Sequence, residues 1–437
     1  MVEHRELAWR REYVLIAQTP MIHFQPNQAG AALRPSEVKP KLDRYLRRVC
    51  GKEIPKEWLV SDRQPALNYQ MRIVASGQDK SNGLGIDHCK AYFGNRGRNT
   101  KDLVFRDCTL EINCFVPELL DLIDQQIGSF FILHNFGTRQ SKGFGSFLVK
   151  NCSSDQYVRE TVARRCPHYF YTTVRGMPNV GDMLDYALAI YTVLKNGTNQ
   201  TRYRDGRYAY PQRYIKGYAL RRFLPDSVGS DKAFIKSRVL PSSVRRSKDD
   251  LGPYDSYTFI RAMLGMADHY EFRDDMRNGG FNDRGKLRPK IVNVVHFEGT
   301  KVVDGKLQIP SQSIRDNLGI KRFRSPVLIK ICGNRIFFIL EDSWQLMLDQ
   351  IFLMMPDRDY RDADRCLKSG HYTDAQQRFQ KASYISTPTT FDPDAFMDGF
   401  VEYFDKCKGT MAEFASQGAG SEMYKASVLT LEKGEHL

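Results

Sequence analysis

At 437 residues the chain is longer than one hydrophobic core can usefully grow, so two or more domains are expected, and its 41% apolar residues suffice to fill them. Lys and Arg number 65 against 51 acidic residues, a net charge of +14 that favours polyanionic partners, nucleic acid first among them. No stretch approaches the roughly 18 apolar residues that cross a bilayer, and the start MVEHRELAWRREYVLI lacks the layout of a secretory signal, so a cytoplasmic protein without a membrane partner is expected.

In chain order, Tyr13–Gln18 (YVLIAQ) predicts a buried strand ended by Thr19-Pro20. From Ser36, a favoured N-cap residue, Val38, Leu42, Tyr45, Leu46 and Val49 recur at helical spacing, with Pro40 expected in the first turn, where its missing N–H has no partner to lose. Arg34, Lys39, Lys41, Arg44, Arg47 and Arg48 give this segment six cations against Glu37 and Asp43, which suits either an anion beside the helix start or a solvated face. Strands are predicted at Tyr69–Val74, Leu103–Phe105, Thr109–Phe115 and Phe130–Leu133, with a helix at Pro117–Gln126 and an exposed glycine-rich loop over Ser76–Lys101. The order strand, helix, strands, helix, strand is a ferredoxin-like pattern, which puts both helices on one face of an antiparallel sheet.

A second unit is expected to begin with a strand at His168–Val174 and a helix at Asp182–Leu194, continuing with strands at Lys290–Phe297, Lys306–Ile309, Val327–Ile331 and Ile336–Leu340 and a helix at Ser343–Met354. Residues 196–253 read as an insertion of extended loops, and helical periodicity at Ala375–Tyr384 and Ala395–Cys407 predicts a helical extension after about residue 356. The expected class is α+β. The expected domains are 1–165, 166–355 and a C-terminal extension, 356–437, with the first two weakly similar in strand order.

The stretch FGTRQSKGFGSF (Phe136–Phe147) gathers Gly137, Gly143 and Gly145 with Arg139 and Lys142. These are the ingredients of a phosphodiester clamp, and equally of tight turns; no GK[ST] follows, and GFG is too short for a dinucleotide fingerprint. Nine cysteines without a CxxC pair read as reduced structural thiols, and His88, Cys89, Cys108 and Cys114 match no standard zinc spacing, so neither metal nor cofactor is expected. His23, just beyond Pro20, and His134, beside the glycine loop, are the two candidates for a general base. Tyr203–Phe223 interleaves cations with tyrosines, which fits single-stranded RNA or a docked protein, while Lys236–Lys248 reads as a solvated basic loop.

Two of these segments carry a resemblance. TPMIHFQPNQAGAALRPSEVKPKLDRYLRR resembles the opening of RAMP-superfamily CRISPR proteins, and FGTRQSKGFGSF resembles their G-rich loop, most of all the form in the first RAMP subunit of the type III-B (Cmr) effector complex. FRSPVLIKI (Phe323–Ile331) and YTFIRAMLGM (Tyr257–Met266) are similar to two later landmarks of that subunit. Gln140 and Ser141 depart from the loop pattern, and 196–253 and the tail beyond about 356 have no counterpart in it. The resemblance implies two ferredoxin-like (RRM-like, RAMP) domains, a place in a type III CRISPR complex with crRNA, target RNA and other effector subunits, and no catalysis. Carried over residue by residue, Arg34, Ser36 and Lys39, with Arg44 of the same helix, would face RNA from one side, and Gly137, Arg139, Lys142, Gly143 and Gly145 from the other. The alternative it leaves is a metal-independent RAMP endoribonuclease that processes precursor crRNA, with His23 or His134 at its centre.

Overall fold

A computed structural model describes residues 8–22, 33–51, 54–61, 64–80, 103–176, 178–204, 207–221, 235, 239, 259–272, 290–316, 323–414 and 421–435. Its first half runs β1 (Arg10–Ala17), α1 (Pro35–Cys50), β2 (Gln70–Ser76), β3 (Asp107–Asn113), α2 (Pro117–Leu133), β4 (Phe147–Val149). The sheet order is β2-β3-β1-β4 with every pair antiparallel. Strand alternation points Tyr13, Leu15 and Ala17 of β1 and Cys108, Leu110 and Ile112 of β3 to one face, where the apolar residues of α1 and α2 join them in a single cluster. The opposite face carries Val14 and Val74 and the charges of Glu12, Glu111, Arg10 and Arg72.

Helix α1 begins two residues earlier than an N-cap at Ser36 predicts: Arg34 is the extended N-cap, Pro35 takes the first position, and Pro40 therefore lies inside the helix. Val38, Leu42, Tyr45 and Leu46 are buried as their spacing predicts, and Gly51 ends the helix in the left-handed region. The predicted strand at Phe130–Leu133 is instead the last turn of α2, which runs unbroken from Pro117. A continuous apolar run reads alike as buried strand or fully buried helix, and here both α2's own sheet and the second half of the chain cover it.

The second half repeats the order with larger insertions: β5 (Tyr169–Thr173), α4 (Val180–Lys195), β6 (Val327–Cys332), β7 (Arg335–Leu340), α5 (Pro393–Ala412), β8 (Leu431–Lys433), where α3 (Asp155–Arg165) has bridged the halves. The sheet order is β6-β7-β5-β8, again all antiparallel. This corrects the expected helical extension at 356–437. Helix α5 buries Phe396, Phe400 and Phe404 in the same cluster as Phe170 and Phe338, and Leu431–Lys433 is an edge strand of the sheet. Glu432 also accepts from the Tyr171 hydroxyl at 2.7 Å.

Between α4 and α5 the chain builds a further four-stranded antiparallel sheet from 269–272, 290–295, 351–356 and 383–386. The helix predicted at Ser343–Met354 is a short 3-10 turn, Asp342–Met347, followed by one of these strands, Ile351–Pro356. Residues 197–204 and 207–216 pair as a hairpin rather than as loops, and most of the stretch from 222 to 258 lies outside the described residues. Among the described residues no helix is long and apolar enough to cross a membrane.

Candidate nucleic-acid interface

The glycine loop joins α2 to β4 and is pressed between the two halves. Gly137, Gly143 and Gly145 are all buried and all have positive φ, at 81°, 88° and 69°. A Cβ on Gly145 would fall on the Phe136 carbonyl, and one on Gly137 would stand 2.6 Å from the Ile22 carbonyl oxygen. The loop amides are also taken within the protein: Gly137 N–H donates to Glu37 Oε1 at 2.6 Å, Gly145 N–H to Pro20 O at 2.9 Å, and Ser146 N–H to Thr19 Oγ1 at 2.9 Å. The glycines thus serve close approach of chain to chain, and Glu37 occupies the anion position that the Gly137 amide offers.

On the other side the loop meets β6 of the second half. Ser141 O accepts from Ile329 N–H at 3.3 Å, Asn135 donates to Ile329 O at 2.8 Å, and Ser146 Oγ to Ile331 O at 2.7 Å. Between these contacts Lys330, fully buried, sends Nζ to the carbonyls of Phe131 at 2.7 Å and His134 at 2.9 Å. A cation on the last carbonyls of α2 complements the helix's negative end, while desolvation pulls the lysine down to about 8. The third and fourth landmarks converge here too: Met266 and Phe323 exchange both backbone hydrogen bonds at 3.1 Å, and Gly265 packs on the Ser325 backbone.

The expected contact residues divide. Lys39 faces inward, bonded to Leu67 O at 2.7 Å and Asp43 at 3.2 Å with the Tyr69 ring 3.8 Å beneath it. Lys142 is buried too. Its Nζ has no hydrogen-bond partner and stands 3.0 Å from the centre of the Tyr191 ring, with Lys195 and Arg139 nearby; burial first, then those cations, holds it well below the usual lysine range. Ser36 and Arg44 are exposed, and Arg34 and Arg139 are half-buried. Arg139 is itself strained into the left-handed region at φ 59°.

His134 is sequestered. Its ring lies 4.6 Å from that of Phe130, Nδ1 bonds Phe130 O at 2.9 Å, and desolvation pushes it down to about 3. It stays a neutral imidazole at physiological pH, packed as a core aromatic. His23, the other candidate base, lies outside the described residues, as does the pair His88 and Cys89, whereas Cys108 and Cys114 are buried free thiols. Among the described residues no group of three or more His, Cys, Asp or Glu is placed to hold a metal ion.

Two cations that the expected set omitted complete a surface patch. Arg48 lies one turn beyond Arg44 on α1, and Arg324, just before β6, reaches the same place from the second half, where it pairs with Glu341 at 3.0 Å. Arg324, Arg48 and Lys41 all act on the Glu341 carboxylate, and Arg324 and Arg44 both act on Lys41, so these groups form one electrostatic cluster. Lys41 ties the patch to the glycine loop, donating to Asn135 O at 2.9 Å and Gln140 Oε1 at 2.7 Å. Beside Arg48 and Arg324 a cavity of about 300 Å³ opens, with Phe323, Leu346 and Met347 as apolar lining. Arg48 had a sequence signal in its helical spacing from Arg44; Arg324 had none beyond preceding Ser325-Pro326.

A model of the Cmr1 N-terminal domain matches residues 9–198, and one of the Cmr1 C-terminal domain matches 214–417. The chain belongs to the Cmr1 family. It is thus a RAMP protein of the Cmr1 type, a subunit of a type III-B Cmr complex that assembles with other Cmr subunits and crRNA. A solved structure of Cmr1 from Pyrococcus furiosus in its apo form is similar at 13% identity and a TM-score of 0.30, covering 42% of this chain and 71% of that one. No curated protein sequence matches.

Proposed function

We propose that the chain is a non-catalytic RNA-binding subunit of its complex, contacting crRNA or target RNA in antiviral defence in the cytoplasm, and that it is built from two ferredoxin-like domains. The strand order 2-3-1-4, found in both sheets, supports the domain reading, with residues 8–165 forming one unit and 166–435 the other around its inserted sheet. The observation that carries the RNA reading is the arginine patch contributed by both halves: Arg44 and Arg48 on α1 meet Arg324 before β6. Such a patch tracks a phosphate backbone across the seam, while Lys39 and Lys142 serve the fold. The neutral, enclosed His134 supports a non-catalytic role at the glycine loop.

Titrating a labelled single-stranded RNA at several salt concentrations tests this. Replacing Arg44, Arg48 and Arg324 together by Ala should weaken binding and flatten the log–log salt dependence by about 2, at roughly 0.7 per lost phosphate contact. An unchanged slope would remove the patch from the interface.

A further inference from the structure

The cavity at the edge of the arginine patch has a composition that phosphate binding alone does not require. Phe323, Met347 and Leu346 give it an apolar lining, yet Leu346 is 73% exposed, an isobutyl group held open to solvent at the seam between the halves. On the polar side Arg324 Nη2 and Glu341 Oε2 sit side by side at 3.0 Å, with Ser343, Asp342 and Arg48 around them. A volume of about 300 Å³ is at the low end of small-molecule sites and fits a single nucleobase rather than a duplex.

Resting on the RNA reading above, we propose that this cavity receives one unstacked base of the bound strand and selects guanine. Guanine's Watson–Crick edge places the O6 acceptor next to two N–H donors, N1 and N2. The arginine–glutamate pair presents the complement, donor beside acceptor, while the base plane covers Leu346, Met347 and Phe323. Uracil flanks its one N3–H donor with the O2 and O4 acceptors, one of which would face the carboxylate, and cytosine and adenine bring the carboxylate a single amino donor beside a ring-nitrogen acceptor where guanine brings two donors. Arg48 and its neighbours on α1 are then left for the adjoining phosphates. Burial, the largest influence on Glu341, raises its pKa, the mark of a carboxylate partly stripped of water, where a hydrogen bond to a base counts for more than on an open surface.

The test is fluorescence anisotropy with labelled decauridylate and with the same strand carrying one guanine, adenine or cytosine, read against the full chain. Wild type should bind the guanine strand about 5-fold or more tighter than decauridylate, the lower end expected for one well-made base contact. Glu341→Gln should abolish that preference while binding decauridylate at least as tightly as wild type, since it frees Arg324 of a negative partner, and Leu346→Ala should reduce the preference with decauridylate affinity and its salt slope unchanged; both should retain the wild-type urea midpoint. Equal binding of all four strands, or a guanine preference that survives both substitutions, would overturn the pocket and leave the RNA reading standing. No affinity for any strand would instead overturn the RNA reading itself.

Discussion

Two lysines of this protein have buried ammonium groups and should answer the same substitution differently. Lys330 is fully buried with Nζ on the carbonyls of Phe131, His134 and Phe147, at 2.7, 2.9 and 3.4 Å. Lys142 is buried with no hydrogen-bond partner at all, only the Tyr191 ring 3.0 Å away and two further cations near it. Methionine matches the lysine stem in length and removes the amine. In Lys330→Met at least two short-bonded carbonyls lose their donor in an interior without water, at about 1–3 kcal/mol each, so a loss of about 2–5 kcal/mol is expected. In Lys142→Met nothing is orphaned: the desolvation cost of an unpaired amine, about 1–3 kcal/mol, disappears, offset by a cation–π contact of about 0.5–2 kcal/mol. The expected net is neutral to a gain of about 1 kcal/mol. Urea denaturation followed by far-UV circular dichroism, with the two variants beside wild type, reads both. A neutral Lys330→Met together with a Lys142→Met that costs several kcal/mol would refute the hydrogen-bond reasoning, because it would mean that charge at Lys142 and not satisfaction at Lys330 supports the seam.

Lys330 also predicts a pH dependence. Its folded pKa of about 8 lies below the ordinary lysine value of 10.5, so between those values the unfolded chain holds a proton that the folded one has lost. Stability from this group therefore rises with pH through that window, and the wild-type minus Lys330→Met difference measured at pH 7.5 and 10 should show it. His134 works in the acid range with the same sign: pulled from 6.5 to about 3, it costs stability as pH falls below 6.5, and His134→Phe should make the melting temperature less sensitive between pH 6.5 and 4. Gly145→Ala should leave little folded protein in a solubility and thermal-melt comparison, since a left-handed φ and an overlap with the Phe136 carbonyl act together. Asp43→Ala, which strips the buried partner of Lys39, Tyr69 and the Leu67 amide, should cost about 3–5 kcal/mol in the same urea assay.

Much of the first sheet and of α1 was readable in one dimension because period and burial agree there: β1 alternates buried and open residues, and α1 buries one face. The reading failed at Phe130–Leu133, where apolar residues face protein on every side and no period survives to separate helix from strand, and at Ser343–Met354, where the buried pair Trp344 and Met347 mimics a helical spacing although the chain makes one 3-10 turn and then a strand. It failed again at the tail, because helix α5 and strand Leu431–Lys433 belong to a unit whose other strands stand far earlier in the chain. Closure over that distance leaves no local mark.

For the candidate site, residue type alone determined a basic, RNA-suited chain, the need for glycine at the tight loop, and the cations of α1. Their division was a tertiary decision. Lys39, Lys41 and Lys142 carry the same ammonium as any surface lysine, yet tertiary packing turned one toward Asp43 and Leu67, one toward Asn135 and Gln140 of the loop, and one onto Tyr191 of α4. The same packing brought Arg324 of the second half beside Arg48 of the first, joining charges 276 positions apart into one patch. Which cations meet solvent depends on what covers them, and that is set by contacts between segments that have no relation along the chain.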